Sequence, residues 1–240
     1  KSGAVWPQSN LTPTQNRTLK FTADQKAFWA FQPIQTPRVP HSNSLWVTNA
    51  IDQFVLQKLN DHDLSPSRIA SPEKLLRRVY FDITGLAPSS DVVRDFIDDP
   101  SEEHYKSIVD SLLASPQYGE RWARFWLDLV RYAESDGYNS DSYRSGAWHY
   151  RDYVIKAFQN DKPYDQFIKE QLAGDELDPK NLEAQIATGY LRHWIYEYNQ
   201  RDAKSQWAII LNDITDVTGD TFLGMGMSCA RCHDHKFDPI

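Results

Sequence analysis

The only two cysteines of the chain lie in a C-x-x-C-H run that extends from Cys229 to His233, close to its last residue. Two thiols three positions apart can each add to one of the two vinyl groups on a porphyrin edge, and the histidine that follows can ligate the iron. The spacing therefore predicts covalent attachment of a c-type haem. Cys229 and Cys232 are the expected thioether anchors, and His233 is the expected proximal ligand.

Two other chemistries use similar side chains. A zinc site is one of them, because two thiolates and two imidazoles suit zinc; the residues are Cys229, Cys232, His233 and His235. However, Cys232 and His233 are adjacent, which makes it difficult for both to bind one tetrahedral ion. A redox dithiol is the second alternative, but such a C-x-x-C pair accompanies alternating strands and helices, and the sequence does not show that pattern. We therefore favour haem over zinc.

Several polar residues are candidates for the surroundings of this haem. His235 follows His233 by two positions and cannot easily share the iron. We expect His235 to hydrogen-bond a haem propionate or a carboxylate of the loop around Glu134 and Asp136, with an exposed tail histidine as the alternative. The other candidates are Arg231, Asp234 and Asp238.

The sequence does not single out a distal ligand for the iron. Met225 and Met227 are the only methionines, and they precede Cys229 so closely that folding back to the opposite haem face would be awkward. The distant candidates are His41, His62, His104, His149 and His193. Two alternatives remain for the distal position of the iron: one of these histidines fills it, or the position is open.

A second group of residues is acidic. Six carboxylates can hold calcium or supply an acid and base pair, although a solvated loop and exposed helix faces are the commoner use of such residues. The six are Glu134, Asp136, Asp141, Asp213, Asp216 and Asp238. Nearby arginines either pair with haem propionates or form salt bridges along helices; they are Arg121, Arg124, Arg131, Arg144 and Arg151.

The composition is that of an ordinary globular protein, with 40% hydrophobic and 25% charged residues among 240. The net charge of -7 argues against nucleic acid or an anionic membrane surface as a partner, since both need basic patches. No apolar run approaches the roughly 20 residues needed to span a bilayer. Eight Trp, twelve Tyr and eleven Phe indicate large buried aromatic contacts.

The hydrophobic pattern predicts a mostly α protein. Residues 1–45 are expected to form an extended N-terminal arm that packs on the body, and residues 46–240 an irregular helical, cytochrome-like domain that ends in the haem motif. Apolar residues at helical spacing, with serine and proline at helix starts, indicate the helices. The predicted helices cover residues 48–59, 71–84, 90–98, 102–114, 115–134, 147–159, 163–173, 181–192 and 203–223.

Long tracts of the chain resemble a known family. They are residues 29–33, 76–86, 118–124, 126–138, 150–155, 161–165, 170–177 and 229–240. These tracts are similar to the planctomycete cytochrome-C-like domain family, the second cytochrome-like module of large secreted planctomycete proteins. The resemblance covers nearly the whole chain from about residue 28, and the long tracts are more specific than C-x-x-C-H alone.

The resemblance implies a haem protein that is secreted or periplasmic and that accompanies polysaccharide breakdown. It also implies a further domain or chain after Ile240, from which an axial ligand can come. The chain begins at Lys1 without a methionine, so we expect a processed product or a fragment of a longer protein. One departure from the family pattern is residues 224–228, where methionines replace a more aliphatic tract and keep methionine ligation open.

The expected function is electron transfer by a c-type haem protein of the cell envelope, with an unidentified redox partner. One alternative is a haem enzyme whose open iron site handles peroxide or oxygen. A second alternative is a structural or glycan-binding module stapled by zinc or calcium, with aromatic residues as sugar platforms.

Overall fold

The computed structural model describes residues 22–197, 202–236 and 240. Helices make up 61% of it, and the described residues contain no strand, only an isolated bridge between Ser135 and Tyr143. The predicted mostly helical class is therefore confirmed. None of the helices in these ranges is long and apolar enough to cross a membrane.

The chain divides into two compact units, with the boundary between Ser67 and Arg68. The described part of the first unit contains two helices, α1 (Ala23–Ala27) and α2 (Ala50–Asp61). Each begins with a capping box, in which a side chain before the helix and one in its first turn satisfy free backbone N–H groups. Residues 1–21 of the expected arm lie outside the described residues.

The second unit begins with three helices, α3 (Pro72–Ile83), α4 (Ser90–Asp98) and α5 (Glu102–Leu113). Their apolar faces meet in a small core formed by Leu76, Val79, Phe96 and Leu112. Proline in the first turn of α3 and Gly85 after its end, at a φ of 73°, bound this helix as the sequence predicts.

A larger core follows, built by α6 (Pro116–Leu129), α7 (Trp148–Gln159), α8 (Tyr164–Leu177) and α9 (Leu182–Ala187), which a 3₁₀ turn at Thr188–Arg192 extends. The centre of this core is polar. Gln171 is fully buried and accepts hydrogen bonds from Trp126 Nε1 at 3.0 Å and from the Tyr150 hydroxyl at 2.6 Å.

Helix α6 ends at Leu129, five residues before the predicted end at Glu134. Arg131 takes the left-handed conformation, with a φ of 55°, and the Tyr132 N–H returns to the Leu127 carbonyl at 2.9 Å. This is the usual way for a helix to stop, although glycine normally occupies that position. The Arg131 guanidinium pairs with Asp213, which holds the arginine in this conformation.

The final helical segment carries the C-x-x-C-H motif. Helix α10 (Ala203–Thr218) continues into a π-helical turn at Gly219–Leu223, where Gly224 ends it with a φ of 62°. The short helix α11 (Met227–Ala230) follows directly. The predicted helix over residues 203–223 is confirmed in extent, but its last turn is wider than an α-helix.

Candidate functional site

The C-x-x-C-H motif forms a single helical turn. Cys229 lies in α11, and the Cys232 N–H donates to the Cys229 carbonyl at 3.3 Å, so the turn closes between the two cysteines. Residues three apart on a helical turn lie on the same side of it, so we expect both thiols on one side of the turn that extends α11 to Cys232. Both cysteines are exposed and unbridged. This arrangement suits two thioether bonds to one porphyrin edge.

His233 is exposed immediately after the turn, and its ring has a defined orientation. The ring Nδ1 lies 2.9 Å from the Asp234 carbonyl oxygen. A carbonyl can only accept, so Nδ1 carries the proton and Nε2 keeps its lone pair. Histidines that ligate metals commonly donate their other ring N–H to a carbonyl in this way, which fixes the tautomer and makes the ligand more basic.

Three contacts tie α11 to α10 and its π-helical turn. The Asp220 carboxylate accepts the Met227 N–H at 2.9 Å and so caps α11. Arg231, inside the motif, forms an ion pair with Asp216 of α10. Met227 packs so closely on Gly219 that a Cβ at Gly219 would overlap its side chain. The motif is therefore positioned by side chains of the preceding helix.

The remaining predicted neighbours of the haem are placed in part. The His235 ring lies against Gly226, and the His235 backbone N–H donates to the Ile240 carbonyl at 3.0 Å. Asp234 supplies the carbonyl that orients His233. Asp238 lies outside the described residues. The expected hydrogen bond from His235 to a propionate or loop carboxylate stays a prediction.

Glu134 and Asp136 lie in the loop after α6, and each is paired with an arginine. Glu134 accepts from Arg151 at 2.7 Å and from the Tyr132 hydroxyl at 2.8 Å. Asp136 accepts from Arg144 Nε at 2.6 Å. These partners are 17 and 8 positions away, so the ion pairs link different segments and do not run along one helix.

Three more of the predicted carboxylates are also engaged. Asp213 and Asp216 pair with Arg131 and Arg231, and the Asp141 carboxylate accepts the Gly137 N–H at 3.0 Å. Within the part of the chain that the structure describes, no three His, Cys, Asp or Glu side chains are grouped as metal ligands would be. Cys229, Cys232, His233 and His235 thus do not form a zinc-like cluster there.

The structure contains a cavity of about 510 Å³ beside the loop that contains Asp136. No pattern in the sequence predicts this cavity. Its walls come from residues 136–150 and from α9 and the 3₁₀ turn after it. The polar lining residues include Asp136, Arg144, His149, Gln185, Arg192 and His193. These residues are scattered in sequence and show no motif spacing, so only tertiary packing brings them together.

His193 is buried at the inner wall of this cavity, 7% exposed. Its Nδ1 donates to the Val130 carbonyl at 3.1 Å, and the edges of Tyr132 and Tyr150 contact its ring. Burial lowers the pKa of His193 to about 4, and the positive charges of Arg131 and Arg144 act in the same direction. His193 is therefore a neutral imidazole at physiological pH.

Fold and motif together define an all-helical protein with a C-x-x-C-H turn held on its last long helix. Residues 50–240 match the family model described as PSCyt2, protein of unknown function (DUF1549), and the chain belongs to this family. The family name is of the planctomycete cytochrome-like type. Searches of the curated proteins and of the solved structures found no match.

Proposed function

We propose that the chain is a c-type haem protein of the cell envelope that transfers electrons. The observation that carries the proposal is the C-x-x-C-H turn: two exposed, unbridged cysteines three positions apart, followed by a histidine whose Nδ1 donates to the Asp234 carbonyl and so leaves Nε2 for a ligand bond. Both features are what thioether attachment and axial ligation require. Haem, when bound, supplies one-electron chemistry at the iron.

The residues of the chain would hold the group and tune it. Cys229 and Cys232 form the covalent anchors, and His233 is the proximal ligand. The hydrogen bond from His233 Nδ1 to the Asp234 carbonyl selects the tautomer whose Nε2 can bind iron and fixes the plane of the ring. The ion pair between Arg231 and Asp216 holds the motif against α10, so the spacing of anchors and ligand is set before attachment.

The cellular setting is part of the proposal. Haem is attached to C-x-x-C-H motifs outside the cytoplasm, so a periplasmic or secreted location accompanies a c-type haem. The resemblance to the planctomycete cytochrome-like family implies the same setting and a link to polysaccharide breakdown. The redox partner is a separate protein or a domain beyond Ile240.

The test is the intact mass of the chain produced in a host that attaches c-type haem. We expect a gain of one haem that survives denaturation, because thioether bonds are covalent. Cys229→Ser together with Cys232→Ser should abolish the gain, whereas the matched control Ser228→Ala, next to the first anchor, should retain it. A wild-type chain without the added mass would contradict the proposal.

A second candidate is a haem enzyme with an open iron position. The packing of Met227 against Gly219 favours it, because that side chain is already committed to the π-helical turn. Carbon monoxide binding to the reduced protein separates the two candidates. A spectrum that carbon monoxide leaves unchanged favours electron transfer alone, and a shifted spectrum favours the enzyme.

A further inference from the structure

The cavity of about 510 Å³ has the size of a small-molecule site. It is lined by residues of the second unit only, and none of Cys229, Cys232 and His233 is among them. The cavity is therefore separate from the C-x-x-C-H turn, and binding of a ligand there does not depend on haem attachment.

His193 presents an unused acceptor at this cavity. Its Nδ1–H is satisfied by the Val130 carbonyl, so the opposite ring nitrogen, Nε2, carries the lone pair. No described residue hydrogen-bonds to Nε2, although the side chain is more than nine-tenths buried. Nε2 is not one of the fully buried polar atoms that lack a partner, so this acceptor stays accessible at the cavity wall, where water or a ligand can donate to it.

Among the charged residues that line the cavity, Arg192 has no carboxylate partner within the described part of the chain. Asp136 and Arg144 neutralise each other, and Arg144 also donates to the backbone carbonyls of Arg192 and Trp194. The Arg192 guanidinium lies over the Tyr196 ring, 4.8 Å from its centre, and forms no ion pair with any described residue. A guanidinium at the wall of a cavity is suited to a carboxylate.

We propose that this cavity binds a small hydroxylated carboxylic acid. The carboxylate of the ligand pairs with Arg192, and a ligand hydroxyl donates to His193 Nε2. The buried ion pair of Asp136 and Arg144 forms the rigid floor of the site. Because no three metal-ligating side chains are grouped among the described residues, the geometry favours an organic ligand over a cation.

The experiment compares three six-carbon probes by calorimetry at neutral pH: D-gluconate, D-glucitol and hexanoate. Gluconate has both the hydroxyls and the carboxylate, glucitol has only the hydroxyls, and hexanoate has only the carboxylate. We expect gluconate to bind about tenfold more tightly than either of the others, as the loss of one charge-assisted or buried hydrogen bond predicts. Equal affinities, or no binding of gluconate at millimolar concentration, would overturn the proposal.

Two variants localise the binding. Arg192→Gln removes the cation, and His193→Asn retains a donor for the Val130 carbonyl while removing Nε2. Each should weaken gluconate binding about tenfold. Arg94→Gln and His104→Asn are matched controls outside the cavity lining, and they should bind as the wild type does.

A measurement on the unmodified protein keeps the proposal testable if His193→Asn does not fold. The ¹⁵N resonance of His193 Nε2 should be that of an unprotonated ring nitrogen and should move when gluconate is added, as it gains a hydrogen bond. Gluconate binding that leaves this resonance unmoved would place the ligand elsewhere and contradict the assignment.

Discussion

At the residue scale, we expect different roles for the two histidines of the motif segment, His233 and His235. His233 has an available Nε2, whereas the His235 ring packs on Gly226. We predict that His233→Ala removes the proximal ligand and disrupts the absorption spectrum. His235→Ala should leave covalent attachment intact and shift only the reduction potential. If His235→Ala abolished the low-spin spectrum as His233→Ala does, then His235 would be the axial ligand.

His193 makes the stability of the fold depend on pH. Its pKa falls from 6.5 to about 4 on folding, because the ring is buried between Tyr132 and Tyr150 and faces the charges of Arg131 and Arg144. The unfolded chain thus binds the proton more tightly. Above pH 6.5, neutral His193 makes its full contribution to the free energy of unfolding. This contribution is lost as the pH falls from 6.5 to 4, and the total loss is about 3 kcal/mol.

Urea unfolding at a series of pH values measures this contribution. The free energy of unfolding of the wild type should decrease as the pH is lowered from 6.5 to 4, and the decrease should be smaller in His193→Asn by about 3 kcal/mol. A direct NMR titration of His193 in the native protein should place its midpoint well below 6.5. Parallel pH profiles for wild type and variant would rule out this role for His193.

At the scale of elements, the junction between α10 and α11 is set by close packing. Alanine at Gly219 gains about 1 kcal/mol of helix propensity, but its Cβ overlaps Met227, and overpacking costs about 1–3 kcal/mol. We predict that Gly219→Ala destabilises the wild type and destabilises the Met227→Ala variant much less, because that variant removes the severe overlap but keeps the Cβ of residue 227 at 3.1 Å. Chemical denaturation of the four proteins in this double-mutant cycle measures the difference. Equal effects of Gly219→Ala in both backgrounds would show that the Met227 side chain does not limit this position.

The elements were predictable to different degrees. Amphipathic spacing with serine and proline at helix starts was enough for α3 to α9, since these signals are local. The early end of α6 was not predictable, because it depends on Arg131 in a left-handed conformation that a distant carboxylate, Asp213, stabilises. The π-helical turn after α10 likewise depends on contact between Gly219 and Met227, which no periodicity reveals.

At the scale of the whole molecule, the larger core depends on a buried polar hub. Gln171 accepts from both Trp126 and Tyr150, so Gln171→Leu would leave the buried Tyr150 hydroxyl without an acceptor and Trp126 Nε1 with only the Tyr150 oxygen, at 3.1 Å. We predict a loss of about 3 kcal/mol in the free energy of unfolding, measured by urea denaturation. Gln166→Leu, earlier on an exposed face of α8, is the control and should have little effect. Equal effects of the two changes would exclude the hub.

The motif and the cavity differ in how far sequence could predict them. Cys229, Cys232 and His233 are close together in the chain, so their spacing alone was enough to favour haem attachment over the zinc and redox-dithiol alternatives. The cavity joins Arg144, Arg192 and His193, which are up to 49 positions apart and meet only when α7 and α9 pack. The described carboxylates among those predicted are not grouped as metal ligands, and each arginine-paired one has a different arginine partner, which only the fold reveals.

The pyridine haemochrome spectrum of the purified chain tests the central claim most directly. The position of its α-band reports how many vinyl groups have been saturated by cysteine. If the turn between Cys229 and Cys232 anchors haem as proposed, the band should be that of two thioether bonds. The single variants Cys229→Ser and Cys232→Ser should each shift it to the position for one. A purified chain without a c-type band, from a host that attaches c-type haem to a control cytochrome, would contradict the account.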